Sequence, residues 1–117
     1  NEVDQVICEL IEQNFLNEER FAYAYTLGKF RIKAWGKNKI KQGLKLKKIS
    51  DKLIIKSLQK IEETDYIQKL ESLLEKKTAL ISEKDPYKKQ YKLMQYALSK
   101  GFERDLISDV LKNNRLS

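Results

Sequence analysis

One helical pattern recurs along this chain, and the recurrence constrains the fold more tightly than any figure of composition. Its clearest copy is residues 36–58, GKNKIKQGLKLKKISDKLIIKSL. Ile40 and Leu44 stand four apart, as do Ile54 and Leu58, so two short helices can each show an apolar stripe. Between them Ser50 is a capable N-cap, its side-chain oxygen able to accept a free first-turn N–H, and the Asp51 charge suits that helix end. Moved forward by 53 positions, Ile40, Leu44, Ile49, Leu53, Ile54 and Leu58 fall on Leu93, Ala97, Phe102, Leu106, Ile107 and Leu111. Moved back by 47, the second helix alone recurs: Asp51, Leu53, Ile54 and Leu58 fall on Asp4, Val6, Ile7 and Ile11.

The recurrence predicts an all-α fold of tandem three-helix repeats with about seven helices. Residues 1–16 form the last helix of a truncated first repeat, 17–62 a second repeat and 63–117 a third. One Pro, four Gly and the lack of any long apolar–polar alternation argue against a sheet. The first helix is expected from about Glu2 to Asn14. The second starts behind Asn17 as N-cap and buries Phe21, Tyr25, Gly28 and Ile32, with Phe15 and Leu16 packing back on its first turn. Ala34-Trp35-Gly36 then turns the chain. Thr64 is expected to cap a helix through about Ile81, apolar at Ile67, Leu70, Leu74 and Ile81, with Tyr66 beside them. Pro86 suits the first turn of the next helix, where its missing N–H is not needed, and Tyr87, Tyr91 and Tyr96 are read as core and core margin. Gly101 is placed to end that helix in the left-handed conformation, and Phe102 anchors the last helix, from Glu103 to about Asn113. The opening on an orphan helix, with no initiating Met, reads as a fragment whose missing part lies upstream. The acidic orphan helix is expected to complete the core of the triplet that follows it.

Side-chain chemistry argues against an enzyme. Cys8 is the single thiol, so neither an intrachain disulfide nor a cysteine cluster for zinc can form, which fits a reducing compartment. There is no His. Asp4, Glu9 and Glu12 lie off the stripe of Val3, Val6, Ile7, Leu10 and Ile11, and no inward pair of carboxylates stands out. No catalytic residue, metal or cofactor is expected, and no apolar run approaches a membrane span.

Charge carries the functional signal because it comes in blocks. Residues 1–19 hold six acids and no base, whereas residues 29–60 hold twelve Lys or Arg against one acid, Asp51, for a local charge of +11. Such a block repels itself unless something negative binds, so a polyanion or an acidic protein groove is the expected partner. Lys37, Lys41, Lys45 and Lys48 make one ridge at helical steps, and Lys52, Lys56 and Lys60 a second. With Arg31, Lys33 and Trp35, the residues Lys37, Lys41, Lys45, Lys48, Lys52 and Lys56 are the candidate contact surface. Any single Lys of the set also reads as an ordinary solvated side chain; Trp35 reads as a residue to stack on a base or anchor in a partner's pocket, and equally as a packing residue that covers the turn.

The run Phe15-Leu16-Asn17-Glu18-Glu19-Arg20-Phe21-Ala22, then Gly36 with Lys39-Ile40, Leu44 and Lys47-Lys48-Ile49, and finally Lys100-Gly101-Phe102 with Ile107 and Leu111, resembles the RecX family of recombination regulators. The resemblance implies a bacterial cytoplasmic protein of DNA repair and recombination, built of three-helix repeats. It further implies that the protein binds the RecA recombinase filament on DNA and restrains its assembly and activities. Two departures stand out: Lys48 where the family often has Gly, and Gln95-Tyr96-Ala97 where an Arg-aromatic-Leu run is common. Three readings follow: a monomeric modulator of the filament; a module that binds single- or double-stranded DNA without sequence preference; and a helical scaffold for an acidic protein. Against specific DNA reading, the helix after Ser50 offers Lys52, Lys56 and Ser57 but no Arg, Asn or Gln before Gln59.

Overall fold

A computed structural model describes residues 2–114; within residues 2–15 it describes the side chains of 5, 6 and 9 only. The chain runs α1 (Glu2–Lys33), α2 (Lys37–Leu46), α3 (Asp51–Leu58), α4 (Glu63–Leu80), α5 (Pro86–Ser99) and α6 (Arg104–Asn114), with no strand among the described residues. The all-α expectation holds, with six helices instead of about seven. The stripe proposed for Val3, Ile7, Leu10 and Ile11, and the surroundings of Cys8 and Phe15, lie outside the described side chains.

The missing boundary is the one placed at Asn17, which lies inside α1. Between Glu2 and Lys33 there is no Pro and a single Gly, late in the helix, and Asn17 is flanked by the good helix formers Leu16, Glu18 and Glu19. An interior Asn costs well under about 1 kcal/mol, less than breaking the backbone ladder to use it as a cap. The buried face is also rotated from the expected one. Ala22, Thr26 and Phe30 are buried, whereas Phe21 is exposed, Tyr25 and Gly28 are half-buried and Ile32 is 81% exposed. Leu16, expected to pack back, is 54% exposed.

α1, α2 and α3 pack on one another, as do α4, α5 and α6, giving two triplets. The 53-residue correspondence is a correspondence of cores. Ile40 and Leu93, Leu44 and Ala97, and Ile54 and Ile107 are fully or almost fully buried, and Ile49 and Phe102 anchor the two inner turns. Ser50 caps α3 as expected, accepting from the Leu53 N–H at 3.3 Å, and Asp85 caps α5 ahead of Pro86. The α4 cap is Glu62 and not Thr64, which lies within the first turn. Tyr87 and Tyr91 are exposed because the deeply buried positions of α5 are Leu93 and Ala97, further along the helix; Tyr96 is half-buried.

The triplets meet through a narrow, well-bonded junction instead of a broad helix–helix face. The Gly36 N–H donates to the Lys100 carbonyl at 2.7 Å and the Asn38 N–H to the Gly101 carbonyl at 2.9 Å. Tyr66 of α4 lies between Phe30 and Phe102, with ring centroids 5.9 and 5.1 Å away. Its hydroxyl accepts from the Lys37 N–H at 2.9 Å and donates to the Glu103 carboxylate. Burial first, and then that carboxylate, push the Tyr66 hydroxyl far above its usual range, so it stays a donor at any working pH. The molecule is a rod of 72 × 24 × 21 Å.

Candidate functional site

The basic helix α2 has no acid in its sequence, and its geometry divides its cations in two. At about 100° per residue, Lys37, Lys41 and Lys45 run along one flank of the buried Ile40 and Leu44, and Lys39, Gly43 and Lys47 along the other. The first flank is the ridge expected from the spacing. Lys41 and Lys45 are exposed, and Lys37 is half-buried, its Nζ 4.8 Å from the centre of the Tyr66 ring. Lys48 is exposed in the turn that follows, and Lys52 and Lys56 are exposed one helical turn apart on α3. Ser57, offered by the sequence as a reading residue, is fully buried and its hydroxyl donates to the Leu53 carbonyl at 2.7 Å.

The second flank leans on α1. Lys29 and Lys39 both lie over the Trp35 ring, at 4.8 and 4.7 Å, and Lys29 is also 5.5 Å from the centre of the Tyr25 ring. Lys47 sits 5.8 Å from Phe21 and 5.9 Å from Tyr25, and Tyr25 stands edge-on to Trp35 with centroids 6.4 Å apart. Trp35 therefore belongs with Lys29 and Lys39, not with the Lys41–Lys45 ridge. Lys100, brought in from the other triplet through the Gly36–Lys100 hydrogen bond, completes the group. Partial burial lowers its pKa from the ordinary lysine value, and the charges of Lys39 and then Lys33 lower it further. Lys33, one turn after Lys29 on α1, shares the face that carries Lys29, while exposed Arg31 lies toward α4, its carbonyl accepting from Lys69 Nζ at 3.2 Å.

These cations stand without carboxylate partners among the described residues. Among the described residues the one ion pair is Lys92 with Glu83, at 3.6 Å and far along the chain. The lysines rest instead on aromatic faces, contacts worth about 0.5–1 kcal/mol each where exposed, which leave the positive charge unneutralised. Lys29, Lys39, Lys47 and Lys100 were not among the residues expected from spacing alone. The signal was present: Phe21, Tyr25, Lys29 and Lys33 follow one another at four-residue steps down α1, so they share a face. Reading Phe21 and Tyr25 as core hid it.

The description "RecX, second three-helix domain" belongs to a family model that matches residues 17–58, and "RecX, third three-helix domain" to one that matches residues 63–111. The regulatory protein RecX of Clostridium perfringens (strain 13) is 34% identical over 112 residues, covering 94% of this chain and 52% of that protein. That of Haemophilus influenzae (strain PittEE) is 30% identical over 115 residues, covering 97% of this chain and 74% of that protein. The crystal structure of RecX from Lactobacillus salivarius superposes with a TM-score of 0.83 at 26% identity, over 98% of this chain and 75% of that one. The chain spans about half the length of the clostridial relatives.

Proposed function

The chain belongs to the RecX family, and from that premise we propose that it is a non-enzymatic regulator that binds the RecA recombinase filament on DNA and restrains its assembly and strand exchange. The observation that carries the reading is the run of exposed cations on α2 and α3 that have no carboxylate partner among the described residues, with Lys41 and Lys45 at its centre. A filament of acidic grooves and phosphates supplies the negative charge that this surface lacks. Arg31, Lys37, Lys48, Lys52 and Lys56 extend the contact, and Lys33 and Trp35 lie on the adjoining flank. The second domain-sized triplet, α4 to α6, sets the distance and angle at which a partner meets α2. The setting is the bacterial cytoplasm, and the acting species a monomer.

The test is capture of the chain by RecA filaments on single-stranded DNA, run beside bare single- and double-stranded DNA at two salt concentrations. Filament binding should be tighter and survive the higher salt, and Lys41→Glu with Lys45→Glu should weaken it by about tenfold or more, a loss of about 1.4 kcal/mol or more. Equal, salt-sensitive binding to all three targets would leave a nonspecific basic module. Unchanged capture of the double variant would remove the ridge from the mechanism.

A further inference from the structure

The flank that the filament reading uses only through Lys33 and Trp35 has a chemistry of its own. Along it, flat aromatic faces alternate with ammonium groups: Lys47 beside Phe21 and Tyr25, Lys29 between Tyr25 and Trp35, and Lys39 over Trp35. Phe21 is exposed, and Tyr25 and Trp35 are half-buried. A lysine over an aromatic ring is by itself an ordinary surface contact. Here one indole carries two ammonium groups, Lys33 follows Lys29 by one turn of α1, and the backbone bonds from Gly36 and Asn38 to the Lys100 and Gly101 carbonyls bring Lys100 beside them. No carboxylate pairs with any of them among the described residues. Grouped like charges repel, and the rings beneath them do not neutralise them.

We propose that the α1–α2 flank around Trp35 is a binding strip for single-stranded nucleic acid, separate from the Lys41–Lys45 ridge, in which Lys29, Lys33, Lys39 and Lys100 take successive phosphates and Trp35 and Tyr25 stack unpaired bases. The lysines hold their places on the rings only until a phosphate arrives. Each ammonium sits on a flexible four-carbon stem, so it can swing to a phosphate oxygen and free the aromatic face for a base. Aromatic faces select for this partner. In a duplex the base faces are stacked on one another, and an acidic peptide offers carboxylates but no base to lie on the indole. The strip reads no sequence, because every base presents a π face and none of its cations is a bidentate Arg. The strip can be tested apart from the ridge, since Lys39 lies on the other flank of α2 from Lys41 and Lys45 and the strip's remaining residues lie outside α2.

Trp35 is the sole tryptophan of the chain, so its emission reports on this strip alone. The experiment titrates the chain with short oligo(dT), a duplex of equal length, and inorganic polyphosphate of matched charge, following indole fluorescence. The expected result is strong quenching by oligo(dT) and little by the other two. Lys29→Ala with Lys39→Ala should weaken oligo(dT) binding by about tenfold and lower the salt slope by roughly 1.4. Lys41→Glu with Lys45→Glu should lose filament capture and retain the quenching. Absent quenching, equal quenching by polyphosphate, or equal loss in the ridge variant would each overturn the strip. Since quenching is read first on the unaltered chain, a variant that fails to fold leaves the test intact. Quenching without filament capture would refute the filament reading alone.

Discussion

Lys48 and Gly101 stand 53 positions apart at the same inner turn of the two triplets, and both have positive φ, 62° and 99°. The left-handed conformation costs an L side chain about 1–2 kcal/mol. Lys48 bears that cost because its side chain is exposed. At Gly101 no side chain can be accommodated: a Cβ there would lie 2.4 Å from the Lys39 Cβ and 2.6 Å from its backbone nitrogen. Lys48→Gly is therefore expected to stabilise the chain by about 1 kcal/mol or slightly less, the freer unfolded chain offsetting part of the relief. Gly101→Ala should destabilise it by about 3 kcal/mol or more, through strain and clash together. Urea denaturation of both variants checks the pair, and opposite signs are the signature. The turn was legible in the sequence, through the apolar repeat and the Lys-Gly-Phe run. That the third repeat alone must keep glycine was not, since the obstructing atoms belong to Lys39, on the other triplet.

At the scale of elements, α1 separates local propensity from what the whole helix does. Asn17 is a good N-cap in isolation, and a boundary there agrees with a 47-residue repeat. The continuous helix makes it an interior residue. The two situations respond in opposite directions to one substitution. Asn17→Ala should stabilise the chain by about 0.5 kcal/mol as an interior change, whereas removal of a true cap would cost about 1 kcal/mol. Thermal melting with helix content from circular dichroism distinguishes them, and a lower melting temperature would mean that a helix does start at Asn17. The rotated face of α1 has the same origin in context. Phe21 and Tyr25 are more apolar than Ala22 and Thr26, so residue type alone puts the wrong side inward. Tyr25 instead lies against Gly43 of α2, where an added Cβ would come within 2.0 Å of its hydroxyl. The aromatic–lysine strip thus depends on which side of α1 meets α2, a choice made by packing and not by spacing. The Lys41–Lys45 ridge needs one helix only, so spacing alone puts Lys41 and Lys45 side by side on an exposed face.

The rod is held together by side-chain and backbone contacts at one junction, so its overall geometry is open to two precise perturbations. Tyr66→Phe keeps the ring between Phe30 and Phe102 but leaves the Lys37 N–H and the Glu103 carboxylate without their shared partner. A loss of about 1–3 kcal/mol is expected, with faster amide exchange at Lys37 and little change within α3. Gly36→Ala acts on the backbones themselves. Its Cβ would lie 2.3 Å from both the Gly101 carbonyl carbon and the Phe102 nitrogen, so the triplets must move apart or tilt. Neither change touches Lys41 or Lys45, the exposed centre of the ridge. If filament binding needs only the charge of α2 and α3, both variants should bind as the parent does. If it needs the two triplets at a set angle, as a partner seated against the length of a rod requires, Gly36→Ala should weaken capture while bare-DNA binding holds. Small-angle scattering on the same sample ties that loss to shape: a scattering profile unchanged from that of the parent chain would rule out the geometric explanation.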